Sequence, residues 1–307
     1  MAHIPDGFLS VPVMAGSATA SVAALALAVR RTRRHLEERE APVLGAATAF
    51  VFAAQMLNFP LGAGTSAHLL GGVLVGVILG PWAGMLVMFA VLLVQALLFQ
   101  DGGIGALGAN TLNMAVFGVG GGVLVYRWLL ALLGVGLRRR VAAGAAAAFA
   151  STMLVGIAAA VELALSGTVP IGPALVAVGG GHVLMGVGEG VITGAILQMV
   201  LRGRPELVSG VPEPSRSGRV LAWGFAVAAV VLAVVAGYGA SSRPDTLERA
   251  IDRLGIARLE TSYLTAPFSD YSAPVGGAWL AALVGLVVVF VVAWVVSRLF
   301  LRRSPPP

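Results

Sequence analysis

The side chains best suited to chemistry in this chain are four histidines, His3, His35, His68 and His182. Cysteine is absent, so thiolate ligands, disulfides and thiol nucleophiles are excluded. His3 stands out by position. An initiator methionine is normally removed when a small residue follows, which would leave Ala2 first. The Ala2 α-amine, the His3 amide nitrogen and the His3 imidazole Nδ1 then close a five-membered and a six-membered ring on one ion. Three nitrogens lie in a plane with a fourth position open. Square-planar nitrogen ligation suits Cu(II) or Ni(II). With Met1 kept, the amine, two amides and the imidazole supply all four nitrogens unaided. The plainer alternative is a polar residue near a chain end.

Other polar groups sit in apolar surroundings. Asn58-Phe-Pro-Leu-Gly-Ala-Gly-Thr-Ser66-Ala-His68-Leu-Leu-Gly-Gly72 carries Gly62 and Gly64. These glycines permit irregular backbone, which survives at membrane depth only against protein or a cavity. His68 could complete a His3 site or hydrogen-bond within a helix bundle. Asn110 and Asn113 share one segment. Amides there bridge helices or orient a ligating imidazole. His182 and Glu189 are seven residues apart, two helical turns, and so share one face. Ionisable groups inside a membrane are functional candidates; a metal site, a proton path and a structural pair all remain open. Glu162 is a further candidate partner. His35 lies in an arginine-rich loop and reads as exposed.

These groups need a scaffold, and composition says which kind. Of 307 residues, 58% are apolar and 11% charged, against about 45–50% and about 25% in soluble domains. Mean hydropathy is +0.93. The chain is an all-α, polytopic helical membrane protein. Nine apolar runs approach the roughly 20 residues a spanning helix needs: 12–29, 43–59, 66–81, 82–99, 107–133, 141–166, 173–201, 220–238 and 277–297. Gly80-Pro81 separates the third from the fourth. The polar stretch 203–218, rich in Pro, Gly and Ser, reads as a cytoplasmic linker. Seven spans (1–202) precede it, and two (219–307) follow, with an outer loop at 239–276 between them.

All 20 basic residues are arginine, and the net charge is +6. With the N-terminus outside, 15 arginines fall in cytoplasmic loops and four (Arg243, Arg249, Arg253, Arg258) in outer ones. Arg127 lies within a span. This positive-inside bias orients the chain, N-terminus out and C-terminus in. It explains the basic excess without nucleic acid. No lysine means no P-loop of the G-x-x-x-x-G-K-[ST] kind, so ATP-driven work must come from a partner. The opening His3-Ile-Pro-Asp-Gly-Phe has neither the basic nor the apolar segment of a secretory signal. Along the first span, Gly16, Ala20, Ala24 and Ala28 recur every fourth residue. That stripe serves internal packing or lets a partner helix approach closely.

Together, four ordered motifs resemble the CbiM/NikM type, the substrate-specific membrane subunits of energy-coupling-factor nickel and cobalt transporters. They are His-Ile-Pro-Asp-Gly-Phe, Asn-Phe-Pro with Thr-Ser-x-His-Leu-Leu-Gly-Gly, Asp101-Gly-Gly with Gly-Ala-Asn-x-x-Asn-Met, and His-x-x-x-Gly-x-Gly-Glu. The likeness covers about residues 1–202. Farther on, Arg243-Pro-Asp-Thr-Leu-Glu248 and Ala266-Pro-Phe-Ser-Asp-Tyr-Ser272 resemble the PDGLE module, the accessory CbiN/NikN component, with Thr246 in place of glycine.

The resemblance implies the ligands: the Ala2 amine, His3 through its amide and imidazole, and His68. In this family His usually follows Met directly, and loss of Met1 would restore that spacing. Asn58, Ser66, Asn110, Asn113, His182 and Glu189 are then candidates for orienting the ligands. Ala20, Ala24 and Ala28 would face a transmembrane coupling subunit. Two cytoplasmic ATPases complete the implied assembly in a prokaryotic plasma membrane. The cargo is Ni(II) or Co(II), with no tightly bound cofactor and with membrane lipid as surroundings. The chain is then no enzyme. The other readings are a stand-alone metal channel or carrier and an intramembrane hydrolase built on Ser66, His68, His182 or Glu189. Neither H-E-x-x-H nor G-x-S-x-G occurs to support the hydrolase.

Overall fold

The computed structural model describes residues 3–62, 65–208, 217–239, 241, 243–271 and 277–301. Long apolar runs fold as helices because lipid offers the backbone no hydrogen-bond partners. Among the described residues these are α1 (Val11–Thr32), α2 (Ala41–Met56), α3 (Gly72–Leu79), α4 (Pro81–Phe99), α5 (Leu107–Leu133), α6 (Leu137–Leu165) and α7 (Ile171–Gly203). After them come α8 (Ser217–Gly239), the short α9 (Thr246–Leu254) and α10 (Gly277–Phe300). Seven helices are long and apolar enough to cross a membrane: α1, α4, α5, α6, α7, α8 and α10. Outward faces carry large apolar residues such as Leu124, Trp128, Val176, Val230 and Leu299. In a membrane this surface meets acyl chains at no cost.

Two of the nine expected spans come out differently. Residues 66–81 do not form a spanning helix. Phe59–Gly62 and Thr65–Ala67 pair as an antiparallel hairpin, β1 and β2. Residues 68–71 follow as irregular chain, and only Gly72–Leu79 is helical. Eight residues of helix rise about 12 Å, less than half of a bilayer's hydrocarbon core. Hydropathy averages over this glycine-rich stretch and cannot see the break. The run at 43–59 yields α2, a shorter apolar helix of 16 residues, with 14 of them buried. It is the central post of the bundle. Helices α4, α8 and α10 pack around it, and Gly45 lets the α10 backbone at Phe290 come close. Half of the expected linker at 203–218, residues 209–216, lies outside the described residues.

Three helices contain wide turns: Gln95–Phe99 at the end of α4, Leu112–Gly121 within α5 and Leu175–Gly179 within α7. Such π-type turns recur at functional sites because they redirect side chains. Here they fall beside Gln95, Asn113 and His182, all buried.

Candidate functional site at one end of the bundle

The N-terminal segment is inserted into the protein. His3, Ile4, Asp6 and Phe8 are all buried. An extended chain inside a bundle must find partners for its backbone, and it finds them on three sides. Asn110 on α5 accepts from Ile4 N at 2.8 Å and donates to Ile4 O at 3.1 Å. Gly103 N donates to the same Ile4 O, at 2.9 Å. Asp6 Oδ1 accepts from Gly105 N at 2.8 Å. On the far side Thr261 N donates to Asp6 O at 3.0 Å, a bridge to the C-terminal module. Gly7 next to it has φ +94, and a Cβ there would sit 2.0 Å from Leu259 O. Both the angle and the contact require glycine.

This anchoring delivers His3 to His68. The ring centroids are 6.1 Å apart with planes tilted by 38°. Metal–imidazole bonds are about 2.0–2.1 Å, so one ion held by two rings limits their centroids to roughly 6.5 Å. The observed pair lies within that limit. His3 Nδ1 is 2.5 Å from Asp101 Oδ1, which leaves Nε2 buried without a partner. His68 Nδ1 is likewise buried and unpartnered. Orphaned polar atoms are costly in a protein interior unless something is meant to bind them. Burial, assisted by the charge of the N-terminal amine, holds the His68 imidazole well below its usual pKa, so it stays neutral and able to ligate.

Asp101, which opens the Asp101-Gly-Gly motif and was not among the candidate ligands, completes the centre. Its Oδ2 accepts from the Tyr271 hydroxyl at 2.5 Å. Burial pushes the Asp101 carboxyl upward, but His3 and the Tyr271 hydroxyl outweigh it and hold the group ionised well below the carboxylate range. Burial and the Asp101 charge push the Tyr271 phenol well above its usual value, so it remains a donor. Tyr271 also accepts from Gln95 Nε2 at 3.0 Å and stacks on Phe99 at 4.8 Å. Its backbone has φ +55, a left-handed conformation that costs a non-glycine residue about 1–2 kcal/mol and persists only where surroundings enforce it.

The remaining predicted residues scatter around this centre. Glu189 reaches beneath it: its two carboxyl oxygens accept from Leu70 N and Gly71 N, each at 2.8 Å. It thereby holds the chain just after His68. Ser66 donates to Arg243 O at 2.7 Å, and its own N–H donates to Pro244 O. That hydroxyl is tied to a carbonyl of the C-terminal module instead of to an imidazole, which removes the arrangement a serine hydrolase needs. Asn58 meets the module through its backbone, accepting from Ser241 N at 2.8 Å. Asn113 pairs with Glu162 at 2.6 Å. His182 bonds Val178 O within its own helix at 2.7 Å, and Gly156 leaves room for its ring. Neither Asn113 nor His182 has a recorded contact with His3 or His68. Ala2 lies outside the described residues. In the alanine stripe Ala20 is exposed, Ala24 half-buried and Ala28 buried. Only its outer part is free for a partner.

Among the described residues no cluster of three or more His or acidic side chains forms a ready metal cage. A cleft lined by Asp6, Gln100, Gly102, Gly103, Glu260 and Thr261 opens beside the site. Gly102 also touches His3.

Long apolar helices around a buried polar mouth define a multi-pass membrane protein. Within that class the comparisons are specific. Residues 3–207 match the family described as cobalt uptake substrate-specific transmembrane region, and residues 219–302 match the PDGLE domain. The chain belongs to this family, with the PDGLE domain fused behind it. It is 34% identical to a putative fused nickel transport protein NikMN of Archaeoglobus fulgidus, over 96% of this chain and 98% of that one. A cobalt transport protein CbiM of Kyrpidia tusciae is 33% identical over 67% of this chain and 86% of its own length. A crystal structure of a truncated transition metal transporter superposes with a TM-score of 0.58 at 33% identity, covering 65% of this chain and 98% of that one.

Proposed function

We propose that this chain is the substrate-binding membrane subunit of an ATP-driven importer of the energy-coupling-factor type, with Ni(II) or Co(II) as cargo. Its relatives are named for nickel and cobalt transport. The N-terminus faces outside and the C-terminus the cytoplasm of a prokaryotic cell. The ion enters from outside beside Asp6 and Glu260 and is held by the Ala2 amine, His3 and His68. A transmembrane coupling subunit and two cytoplasmic ATPases then drive its release inward. The observation that carries this reading is the pair of buried, unpartnered imidazole nitrogens on His3 and His68, whose ring centroids lie 6.1 Å apart.

The orientation of His3 bears on the donor atoms. A planar chelate through Nδ1 requires the ring to leave Asp101. Ligation through Nε2 keeps that contact, and metal-bound imidazoles commonly hold a carboxylate on their other nitrogen. Nickel and cobalt are both accommodated by such nitrogen donors.

Metal analysis of the purified protein tests the cargo and should find Ni or Co. Intact mass should show Met1 removed, freeing the Ala2 amine. Inserting one alanine between Ala2 and His3 should change the affinity, because the amine, two amides and the imidazole then make a four-nitrogen set that no longer needs His68. Unchanged affinity would remove the N-terminal amine from the site. Uptake into vesicles lacking any ATPase partner would point instead to a stand-alone carrier.

A further inference from the structure

We infer that the turn between α5 and α6 binds the phosphate headgroup of an anionic phospholipid, with Arg139, Arg140 and the first turn of α6 as its cradle. This turn lies at the opposite end of the bundle from His3 and His68, since Asn110, near the start of α5, holds Ile4. The site is independent of how the metal ion is held.

The charge is one-sided. Between Asp101 and Glu162 the chain has no acidic residue but four arginines, Arg127, Arg138, Arg139 and Arg140. Among the described residues none of the four is paired with a carboxylate. Arg127, Arg138 and Arg139 are exposed and Arg140 is half-buried. Helices α6 and α7 run antiparallel, with Gly156 against His182 and Gly144 against Leu197. That packing brings Arg202, at the end of α7, to the same rim. Like charges on one rim repel, and an anion among them relieves the repulsion.

The backbone adds to this. Helix α6 is 29 residues long and starts after Gly136 with no side chain capping it and no acid in its first turn. Its first N–H groups have no partners within the helix and carry partial positive charge, which suits a phosphate. At Gly134, with φ +81, a Cβ would sit 2.7 Å from Arg139 Nη1, so that guanidinium folds over the turn. Tyr126 supplies a separate sign of a ligand. The residue is 4% exposed, and its hydroxyl is buried without a hydrogen-bond partner beside the Arg140 guanidinium. Buried hydroxyls ordinarily have partners. A phosphate oxygen drawn in by Arg140 supplies one.

The surroundings select the occupant. Leu124, Trp128, Leu132 and Val135 are exposed beside the arginines. Tryptophan favours the membrane–water interface, and basic clusters next to a spanning helix attract anionic lipid. Free phosphate would use the arginines and the helix end but not this apolar skirt. A phospholipid uses both, its phosphate on the arginines and its acyl chains along α5.

The test titrates full-length protein in detergent with phosphatidylglycerol, phosphatidylcholine or inorganic phosphate and reads bound lipid by native mass spectrometry. Phosphatidylglycerol should bind more tightly than phosphatidylcholine, and inorganic phosphate should not displace it. Arg139→Gln and Arg140→Gln should each weaken that binding about 5-fold. Tyr126→Phe should weaken it as well. The double variant Arg33→Gln/Arg34→Gln, which removes two exposed arginines just beyond α1, should bind as the wild type does. Equal binding of the two lipids would overturn the proposal. So would an equal loss in the Arg33→Gln/Arg34→Gln variant, which would report overall charge and no particular site. Displacement by inorganic phosphate would make this a free-phosphate site and end the lipid assignment. Unchanged binding in Arg140→Gln or in Tyr126→Phe would remove the cradle itself.

Discussion

Replacing His68 by alanine is expected to abolish high-affinity Ni(II) and Co(II) binding, with a loss well beyond the about 10–100-fold typical when an outer partner of a ligating imidazole is removed. The residue is 5% exposed, so no surface side chain can take its place. The fold should tolerate the change. His68 Nδ1 has no partner to lose, and the chain just after it is held by Glu189 through Leu70 N and Gly71 N. Calorimetry with both metals, alongside a melting curve of the metal-free protein, separates the two effects. Affinity near that of the wild type would exclude His68 as a ligand. A collapse of the melting temperature would give His68 a structural role instead.

Glu189→Ala acts on the same site from below, and there the expected effect is on stability first. The substitution strands two buried N–H groups, those of Leu70 and Gly71. Each buried donor left unpaired costs about 1–3 kcal/mol. A loss of about 2–6 kcal/mol follows, visible as a melting temperature lowered by several degrees. Metal affinity should fall with it, since residues 69–71 set the place of His68. Glu189→Gln keeps one acceptor and should lose less of both. If Glu189→Ala melts like the wild type, the carboxyl group does not support the loop.

How far the site could be read in advance depended on the kind of signal each residue carries. His3 was conspicuous because it follows a small residue at the start of the chain, where chelation geometry depends on local spacing alone. His68 was conspicuous because an imidazole in an apolar stretch is rare. Asn110 and Glu189 stood out as polar groups on apolar helices, but which backbone groups they hold could not be read from spacing. Asn110 grips Ile4, 106 residues earlier, and Glu189 grips Leu70, 119 residues earlier. Asp101 offered no such contrast, since an acid between two helices usually meets water. Tyr271 offered even less. Its partner Asp101 is 170 residues away, and tyrosines are common where membrane meets water.

The apolar runs had a similar limit. Hydropathy finds segments that must avoid water, so α1, α4 to α8 and α10 were legible. It does not tell a helix from a hairpin and irregular chain packed against protein, so residues 66–81 were read as one span. Nor does it tell lipid from protein as the apolar neighbour. Helix α2 and a lipid-facing helix have the same composition, and only the packing of α8 and α10 around α2 distinguishes them.

Composition and local spacing were thus sufficient for everything that depends on solvent preference or on neighbouring residues: a membrane protein, its helical class and the two histidines as candidates. Packing settled the rest: the inserted N-terminal segment, the pairing of His3 with His68 and the line from Tyr271 through Asp101. The reason is physical. Burial in a membrane is a property of each segment separately, whereas a buried polar atom is satisfied only by what the folded chain brings to it, however distant in sequence.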